Sequence, residues 1–459
     1  MPNSTTRAKE ELLSVTGAAT IGELFSAIPA DHRMSRPLDL PPALRSEVEL
    51  QRHLVDLLRK NTSTEDALSF LGAGCWPHHV PAVCDEIASR TEFLTPILGT
   101  ASSDHGRNQA WFEFSSQLAE LVDLDFVGLP TYSWGCSAGH AIRMASRLTG
   151  RTEVLIPRSI DPERLSVIRN YCEPPEMPSH IDVILVDYDP TTGEIDLVDL
   201  AGKLSERTAA VYVENPTFFG TIESAGAEIA SRARSVGAET IVGVDPISLG
   251  VLLPPGAYGA DIVVGTIQPL GMHMNCGGGT AGFIATRDDE RYAREYPTMI
   301  VSIAPTTVAG ERGFANILVE QTSYGLRDQG KDWTGTSTYL WAVVAAAYMS
   351  LMGPAGFEEI GELILQRSHY AARRLAGIGG LGVRFSSPFF KEMVVDLNAT
   401  GLTVAEINAR LRTHGIFGGK DLSHDHPELG QSALYCVTEV HTQADIDRLI
   451  DALSKEISV

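Results

Sequence analysis

Two stretches decide the fold of this chain: V-G-V-D-P-I-S-L-G (residues 242–250) and D-I-V-V-G-T-I-Q-P-L-G-M-H-M-N-C-G-G-G-T-A-G-F-I-A (residues 261–285). The first is an apolar, β-branched run that ends in an acid, Asp245. The second is another apolar run, followed by a polar turn and a cluster of glycines. Short apolar runs bounded by turn residues predict buried strands. We therefore predict two buried strands, the first with a carboxylate at its carboxyl end.

Strand-like and helix-like segments alternate around these stretches, from residue 70 to residue 340. The β-branched runs include T-E-V-L-I-P (152–157) and A-A-V-Y-V (209–213), and segments such as A-G-H-A-I-R-M-A-S-R-L (138–148) have helical spacing. Strands that alternate with helices predict right-handed βαβ units around a mostly parallel sheet. The expected fold class is therefore α/β.

The chain is predicted to have three parts: an N-terminal helical arm (1–69), a large α/β domain (70–340) and a smaller α+β C-terminal domain (341–459). The arm contains an extended, proline-rich segment, R-P-L-D-L-P-P-A-L (36–44), which should run over a surface. Such an arm either wraps a partner or packs on its own chain, and both arrangements stay open at this point.

Asp245 and the turn at Gln268-Pro269 have the arrangement of a pyridoxal-phosphate (PLP) site without its lysine. In a PLP transferase a carboxylate at a strand end pairs with the pyridine nitrogen, and a lysine in the following turn forms the Schiff base. Neither Gln268 nor Pro269 can form an imine, and no lysine lies between Lys203 and Lys331. We predict that the chain does not hold PLP covalently at this turn.

A glycine-rich helix start precedes Asp245, in the order typical of many PLP transferases. The segment Y-S-W-G-C-S-A-G-H-A (132–141) places Gly135 and Ser137 at the beginning of a predicted helix. Free backbone N–H groups at a helix start attract phosphate, so these two residues are candidate phosphate contacts. The alternative is an ordinary N-cap, because serine and glycine are common there.

Asp245 and the glycine cluster at 277–279 each allow a functional and a purely structural interpretation. The Asp245 carboxylate either meets a cationic group or caps the turn that begins at Pro246. Gly277, Gly278 and Gly279 either let another backbone approach closely or form a tight turn between strands, and we favour the turn.

Composition argues against several classes of function. The net charge is −22, from 58 acidic and 36 basic residues, which argues against a nucleic acid or an anionic membrane as partner. No apolar run has the length of a membrane span. Six scattered cysteines and no signal peptide favour free thiols in a reducing compartment, the cytoplasm. No metal is expected, because four histidines lack a spaced third ligand and should be solvated or cap turns: His78, His79, His424 and His426.

The chain resembles a known family along nearly its whole length. The matching stretches include F-L-G-A-G-C-W-P-H (70–78), N-P-T-F-F-G-T-I-E (215–223), V-D-P-I-S-L-G (244–250), P-F-F-K-E-M-V-V (388–395) and C-V-T-E-V-H-T-Q-A-D-I-D (436–447). The combination of the first two is specific. These stretches resemble the P-protein family, the glycine decarboxylase of the glycine cleavage system, and within it the N-terminal half-subunit, called subunit 1 or α.

The resemblance implies a PLP-dependent transferase fold (fold type I, aspartate aminotransferase-like) for the large domain, followed by the smaller α+β domain. It also implies that PLP and its Schiff-base lysine belong to the partner, subunit 2, so the missing lysine is expected here. The chain would then have no catalytic residue and would be inactive alone. Its own site would be a vestigial PLP-like pocket with four cofactor-binding positions: Gly135, Ser137, Asp245 and Gln268.

The resemblance implies a reaction and further partners as well. Two copies of each subunit form an α2β2 heterotetramer. PLP on the second subunit binds the amino group of glycine and acts as an electron sink while CO2 leaves. The aminomethyl group then passes to lipoamide on the H-protein. The expected function is that of a subunit of aminomethyl-transferring, decarboxylating glycine dehydrogenase, an oxidoreductase of glycine catabolism.

Several loops depart from the family pattern. Where the family usually has F-G-G-P-Y-L-G-F, this chain has C-G-G-G-T-A-G-F (276–283). Its segment R-D-Q-G-K-D-W-T-G-T-S-T (327–338) stands where the family has R-E-K-A-T-S-N-I-C-T-N-Q. An alternative function therefore stays open: a divergent P-protein-like subunit, or a pseudo-enzyme, that serves a PLP partner in another small amino-acid reaction.

Overall fold

The computed structural model describes residues 5–34, 36–93, 105–177, 179–318 and 330–457. The chain forms two compact units, divided between Ser63 and Thr64. The predicted domain boundaries at 69/70 and 340/341 stay predictions. Residues 327–329 of the divergent loop lie outside the described ranges.

The N-terminal unit contains two α-helices, and none of its described side chains is buried. Its helices are α1 (Thr6–Thr16) and α2 (Glu47–Leu58), with 3₁₀ turns at Ile21–Phe25 and Ala30–His32. The hydroxyls of Thr5 and Ser46 cap the two helices by accepting hydrogen bonds from first-turn N–H groups. Between the helices, residues 36–44 form neither helix nor strand.

Ten α-helices lie in the described part of the larger unit. They are α3 (Ala82–Ala88), α4 (His105–Val122), α5 (Trp134–Thr149), α6 (Pro162–Cys172), α7 (Leu197–Lys203), α8 (Gly226–Ser235), α9 (Glu290–Ala293), α10 (Tyr339–Ala376), α11 (Val404–Thr413) and α12 (Gln443–Ile457). Polar side chains fix several of the helix starts, among them Ser133 before α5 and Asp161 before α6. Helix α11 begins with a complete capping box made by Thr403 and Glu406.

A seven-stranded sheet forms the centre of the larger unit. In spatial order its strands are β2 (Phe126–Val127), β8 (Gly282–Thr286), β7 (Ile262–Thr266), β6 (Glu239–Val244), β5 (Thr208–Glu214), β3 (Glu153–Pro157) and β4 (Asp182–Val186). The five strands from β7 to β4 are parallel. Strand β8 runs antiparallel to β7, and β2 runs antiparallel to β8. The predicted mostly parallel sheet is confirmed.

The two faces of this sheet are both covered, as the continuous apolar runs of its strands require. Neighbouring residues of β6 belong to different hydrophobic clusters: Ile241 to one and Val242 to the other. Because successive side chains of a strand point to opposite faces, the two clusters lie on opposite sides of the sheet. The carboxyl ends of the parallel strands therefore form a rim above a fully packed core.

Smaller sheets complete the described strands. The C-terminal part carries an antiparallel sheet in the order β11 (Gly382–Val383), β12 (Glu392–Asp396), β15 (Ser432–Cys436) and β14 (Lys420–Asp421). Two pairs accompany it: the parallel pair β1 (Leu68–Ser69) and β13 (Ile416–Phe417), and the antiparallel pair β9 (Ile300–Pro305) and β10 (Arg312–Ile317). The β1–β13 pair connects the first residues of the larger unit to its C-terminal part.

Helix α10 is long and kinked. The kink lies at Gly353, where φ is 56°, and Pro354 follows it. By length and apolar composition it is the one helix in the described part of the chain that could cross a membrane. Its buried apolar side chains up to Ile364 belong to one of the two clusters that cover the sheet, whereas Ala371, Ala372 and Leu375 belong to the cluster of the C-terminal part.

The loop after β5 and the start of β12 meet at Gly220. A Cβ atom at this position would lie 1.9 Å from the backbone oxygen of Glu392, and its φ is +86°, so glycine is required. The backbone N–H of Phe390 donates to the Gly220 carbonyl at 3.1 Å. This contact sets the start of β12, and with it Lys391, against the loop that follows β5 at the carboxyl rim of the large sheet.

Candidate functional site

Asp245 lies at the carboxyl end of β6, and it makes both contacts that the sequence left open. Its Oδ1 accepts a hydrogen bond from the backbone N–H of Ile247 at 3.2 Å, which caps the 3₁₀ turn Pro246–Gly250. Its Oδ2 lies 2.7 Å from Nζ of Lys391. The two paired side chains are 4% and 3% exposed. The cation that meets Asp245 is therefore a lysine of the same chain.

Three groups surround the ammonium group of Lys391. Besides Asp245, its Nζ lies 2.8 Å from Nε2 of His78 and 3.6 Å from the centre of the Trp76 ring. An aromatic face attracts a cation through its negative quadrupole, and more strongly when both are desolvated. A carboxylate, an imidazole nitrogen and an aromatic face thus surround the buried ammonium group, although Oδ2 of Asp245 accepts no hydrogen bond from the described residues.

His79 and His424 are exposed, as predicted, whereas His78 and His426 differ from the prediction that all four histidines would be solvated or cap turns. The side chain of His78 is 2% exposed, and its Nδ1 lies 2.8 Å from Oε2 of Glu439. Because Nε2 accepts from Lys391, Nδ1 carries the proton and donates it to this carboxylate. Burial alone would raise the pKa of Glu439, but contacts with His78 and the backbone N–H of His79 lower that pKa to about 2. His426 is also buried, against phenylalanine rings.

Gln268 stands in the turn where a Schiff-base lysine belongs, and it is 1% exposed. Its Oε1 accepts from the backbone N–H of Trp76 at 3.1 Å. Its Nε2 donates to the carbonyls of Trp76 at 3.2 Å and Met272 at 3.1 Å. Gln268 therefore fixes the backbone of Trp76, whose ring covers Lys391.

The structure thus brings two of the four predicted positions, Asp245 and Gln268, into one site. They are joined by Trp76 and Lys391, which the sequence analysis did not single out. A signal for Lys391 was present, since P-F-F-K-E-M-V-V places a lysine inside an apolar run and a lysine in such a place needs a partner. Nothing in the sequence identified that partner, because Asp245 lies far away along the chain.

The helix start at α5 has the N-cap that the sequence offered as an alternative. The Oγ of Ser133 accepts from a first-turn backbone N–H at 3.2 Å. Ser137 is fully buried, with its Oγ 2.6 Å from the Oγ1 of Thr131. Gly135 lines an open cleft of about 520 Å³. The hydroxyl of Ser137 is therefore already paired, and phosphate contact at Gly135 and Ser137 stays a prediction.

The glycine cluster after β7 forms a tight turn, as favoured. It contains the 3₁₀ turn Asn275–Gly277, and φ is positive at Cys276, Gly277 and Gly279. A Cβ atom at Gly277 or Gly279 would meet no described atom within 4 Å. These glycines serve the turn conformation and not a close backbone approach.

A second buried ion pair, Arg164–Glu214, lines the small cavity that Asp245 and Lys391 also line. The Nη1 of Arg164 lies 2.6 Å from Oε1 of Glu214, and the hydroxyl of Tyr212 donates to the same oxygen at 2.7 Å. The guanidinium group of Arg164 also lies 3.7 Å from the centre of the Trp134 ring. This cation is matched by a carboxylate of its own chain, as Lys391 is.

The residues at this site do not fit PLP. The space between them is about 20 Å³, enough for about one water molecule, whereas small-molecule pockets are typically about 300–1,000 Å³. Gln268 cannot form an imine, and Asp245 is already paired with Lys391. The cavity is lined by Gly74, Trp76, Trp134, Arg164, Glu214, Pro216, Thr217, Phe218, Gly220, Asp245, Phe390, Lys391 and Glu392.

The fold is that of a PLP transferase, and at the predicted cofactor positions Asp245 pairs with Lys391 and Gln268 binds the backbone of Trp76. The fold is shared with a sphingosine-1-phosphate lyase of Burkholderia pseudomallei, with a TM-score of 0.65 over 94% of both chains at 16% identity. The expected fold type I large domain is confirmed.

The chain belongs to the glycine cleavage system P-protein family, whose family model matches residues 2–453. It is 37% identical to a probable glycine dehydrogenase (decarboxylating) subunit 1 of Staphylothermus marinus, over 100% of this chain and 98% of that protein. It is 38% identical to a protein of the same description from Carboxydothermus hydrogenoformans, over 96% of each. A crystal structure of glycine decarboxylase (P-protein) in inhibitor-bound form matches with a TM-score of 0.88 and 31% identity, over 98% of both chains.

Proposed function

We propose that this chain is subunit 1 of a decarboxylating glycine dehydrogenase and is inactive alone. In this proposal PLP and its lysine lie on a second subunit, and two copies of each subunit form an α2β2 heterotetramer. Glycine loses CO2 on that subunit, and the aminomethyl group passes to the lipoyl H-protein. The chain described here supplies structure to the complex and no catalytic group.

The observation that carries this proposal is Gln268, which binds the backbone of Trp76 in the place of a Schiff-base lysine. A chain with no lysine in this turn needs another source of covalently bound PLP. The similarity to proteins named subunit 1 extends over nearly the full length of both proteins, which supports a second subunit as that source.

The N-terminal unit supports the proposed partner. Of 26 large apolar side chains that are exposed in the described residues, 16 lie between Leu12 and Leu58. Helix α2 contributes several of them, among them Leu54 and Leu58, which are four residues apart and therefore on one face. Large exposed apolar patches mark protein–protein interaction sites. We propose that this unit contacts the second subunit.

We place the complex in the cytoplasm. All six cysteines are free, and three of them, Cys84, Cys172 and Cys436, are buried. Burial raises the pKa of Cys84 to about 11, and burial likewise raises the pKa of Cys75 to about 11. Thiols with raised pKa values are poorly reactive, and free thiols are typical of a reducing compartment.

The proposal is tested by native mass spectrometry and absorbance spectra of the chain alone and after co-expression with a lysine-bearing P-protein subunit 2. We expect a colourless lone chain and a yellow α2β2 complex that exchanges CO2 with the carboxyl group of glycine. A lone chain that carries stoichiometric PLP, or that ignores subunit 2, contradicts the proposal. A yellow complex without glycine exchange indicates the divergent subunit instead.

A further inference from the structure

The segment F-L-G-A-G-C-W-P-H-H (residues 70–79), which we name the strap, crosses the site and is held from two sides. On one side, the backbone N–H of Ala73 donates to Oε1 of Glu392, at the start of β12, at 2.6 Å. On the other, both backbone polar groups of Trp76 bind Gln268, in the turn after β7. The strap is therefore fixed to the small sheet and to the large sheet at once.

Trp76 leaves no room for a flat ring beside Trp134. The centres of the two indole rings are 6.2 Å apart, and their planes are inclined by 60°. A third ring stacked between two others needs parallel planes about 7 Å apart, twice the contact distance of carbon atoms. A pyridine ring therefore has no place between the two indole rings while Trp76 holds this position.

The negative charge of the Asp245 carboxylate is also already neutralised. The buried Asp245 carboxylate needs a cation, which a pyridinium nitrogen would supply in a PLP enzyme. Lys391 already supplies one positive charge at 2.7 Å and is covered by the Trp76 ring. A pyridinium added beside this pair would place two cations on one carboxylate in a buried space, which is unfavourable.

We infer that Trp76 and Lys391 are an internal replacement for PLP, the indole filling the site and the ammonium group neutralising Asp245. The site is then closed to PLP by these two side chains, and not only by the lack of a lysine at position 268. This inference deepens the proposed function and rests on its assignment of PLP to the second subunit. It predicts that restoring the lysine alone does not restore cofactor binding.

The test compares three forms of the purified full-length chain incubated with PLP and reduced with borohydride: wild type, Gln268→Lys, and Gln268→Lys combined with Trp76→Ala and Lys391→Ala. Reduction traps an imine between the PLP aldehyde and a lysine amine, and peptide mass spectrometry locates it. We expect no adduct at position 268 in the first two forms and a stoichiometric adduct there in the third. An adduct at position 268 in Gln268→Lys alone overturns the inference.

A matched control separates opening of the site from general loosening of the fold. It combines Gln268→Lys with Trp111→Ala and Lys203→Ala, which remove a buried tryptophan and a paired lysine outside the site. We expect no adduct at position 268 in this control. Equal labelling of the control and the opened variant overturns the inference, as does an opened variant that is folded by circular dichroism but takes no PLP.

A measurement on the wild-type chain keeps the inference testable if the opened variant does not fold. Reductive methylation of the native protein with formaldehyde labels accessible lysines, and Lys391 should stay unmodified while the surface residue Lys331 is labelled. Methylation of Lys391 to the same extent as Lys331 shows an open site and overturns the inference. These experiments use the lone chain, so their failure is distinct from failure to assemble with subunit 2.

Discussion

The ammonium group of Lys391 lies 2.7 Å from the carboxylate of Asp245, and the two side chains are 3% and 4% exposed. Asp245 follows β6 of the large sheet, whereas Lys391 directly precedes β12 of the small sheet. The ion pair therefore joins the two sheets at the rim where a PLP transferase holds its cofactor. Two consequences follow: the pair should matter for stability, and the site should stay empty of PLP.

Removing one partner of this pair should destabilise the protein strongly. Lys391→Met leaves the Asp245 carboxylate buried without a cation, which typically costs about 3–5 kcal/mol. Urea denaturation of the variant measures the loss in free energy of unfolding. Lys203→Met is the matched control, because its pair with Asp199 is 30% and 26% exposed and contributes about 1 kcal/mol or less. Equal losses in the two variants would mean that the buried pair contributes no more to the free energy of unfolding than the more exposed pair does.

Glu392 should make the stability depend on pH. Burial raises the pKa of its carboxyl to about 7, above the roughly 4.3 of an exposed glutamate. Between these values the native state holds the proton more tightly than the unfolded chain. The stabilisation by this proton is present below the lower value and is lost as the pH rises through 7.

Glu392→Gln removes that dependence and keeps an oxygen that can accept from Ala73. Relative to wild type, the variant should therefore gain on the order of 2 kcal/mol in free energy of unfolding between pH 5 and pH 8. Urea denaturation at the two pH values checks this. A difference between variant and wild type that is the same at both pH values would show that Glu392 does not titrate in this range.

Gln268 should contribute to stability although it has no catalytic role. Gln268→Ala leaves the buried N–H and carbonyl of Trp76 without their partner, and each unsatisfied group costs about 1–3 kcal/mol. We expect a clear loss of thermal stability. The control is Gln109→Ala, which removes an exposed contact with Glu113 and should change stability by less than about 0.5 kcal/mol. A Gln268→Ala variant as stable as this control would show that Gln268 does not hold the backbone of Trp76 in place.

The N-terminal unit should bind the second subunit through its exposed apolar side chains. Leu54→Asp combined with Leu58→Asp should weaken the complex at least about tenfold, since each buried leucine contributes about 1.5–3 kcal/mol. The affinity is measured by titrating subunit 2 in solution. Val198→Asp is the control, because Val198 is 83% exposed on the larger unit. Unchanged affinity in the α2 variant would remove this surface from the proposed interface.

Much of the fold could be predicted from the sequence because its strands carry a local signal. The runs that end at Pro157 and Val244 are rich in apolar and β-branched residues, which is typical of strands buried on both faces. The glycine turn around Gly277 also follows from local backbone preference. The bend at Gly353 within the long helix α10 depends on a single residue pair.

The contents of the site could be predicted only in part. The absence of a lysine at position 268 is a local fact, and Asp245 is identified by its place at a strand end. What fills the site depends on two segments that meet only after folding, one carrying Trp76 and His78 and the other carrying Lys391. Because these contacts connect residues hundreds of positions apart, no spacing in the sequence reveals them.

The most direct test of the account is to locate PLP in the assembled complex. Borohydride reduction of the purified complex of this chain with subunit 2, followed by peptide mass spectrometry, identifies the lysine that carries the cofactor. The account predicts a pyridoxyl adduct on a lysine of the second subunit and none on this chain. A stoichiometric adduct on any lysine of this chain, Lys391 included, would contradict it.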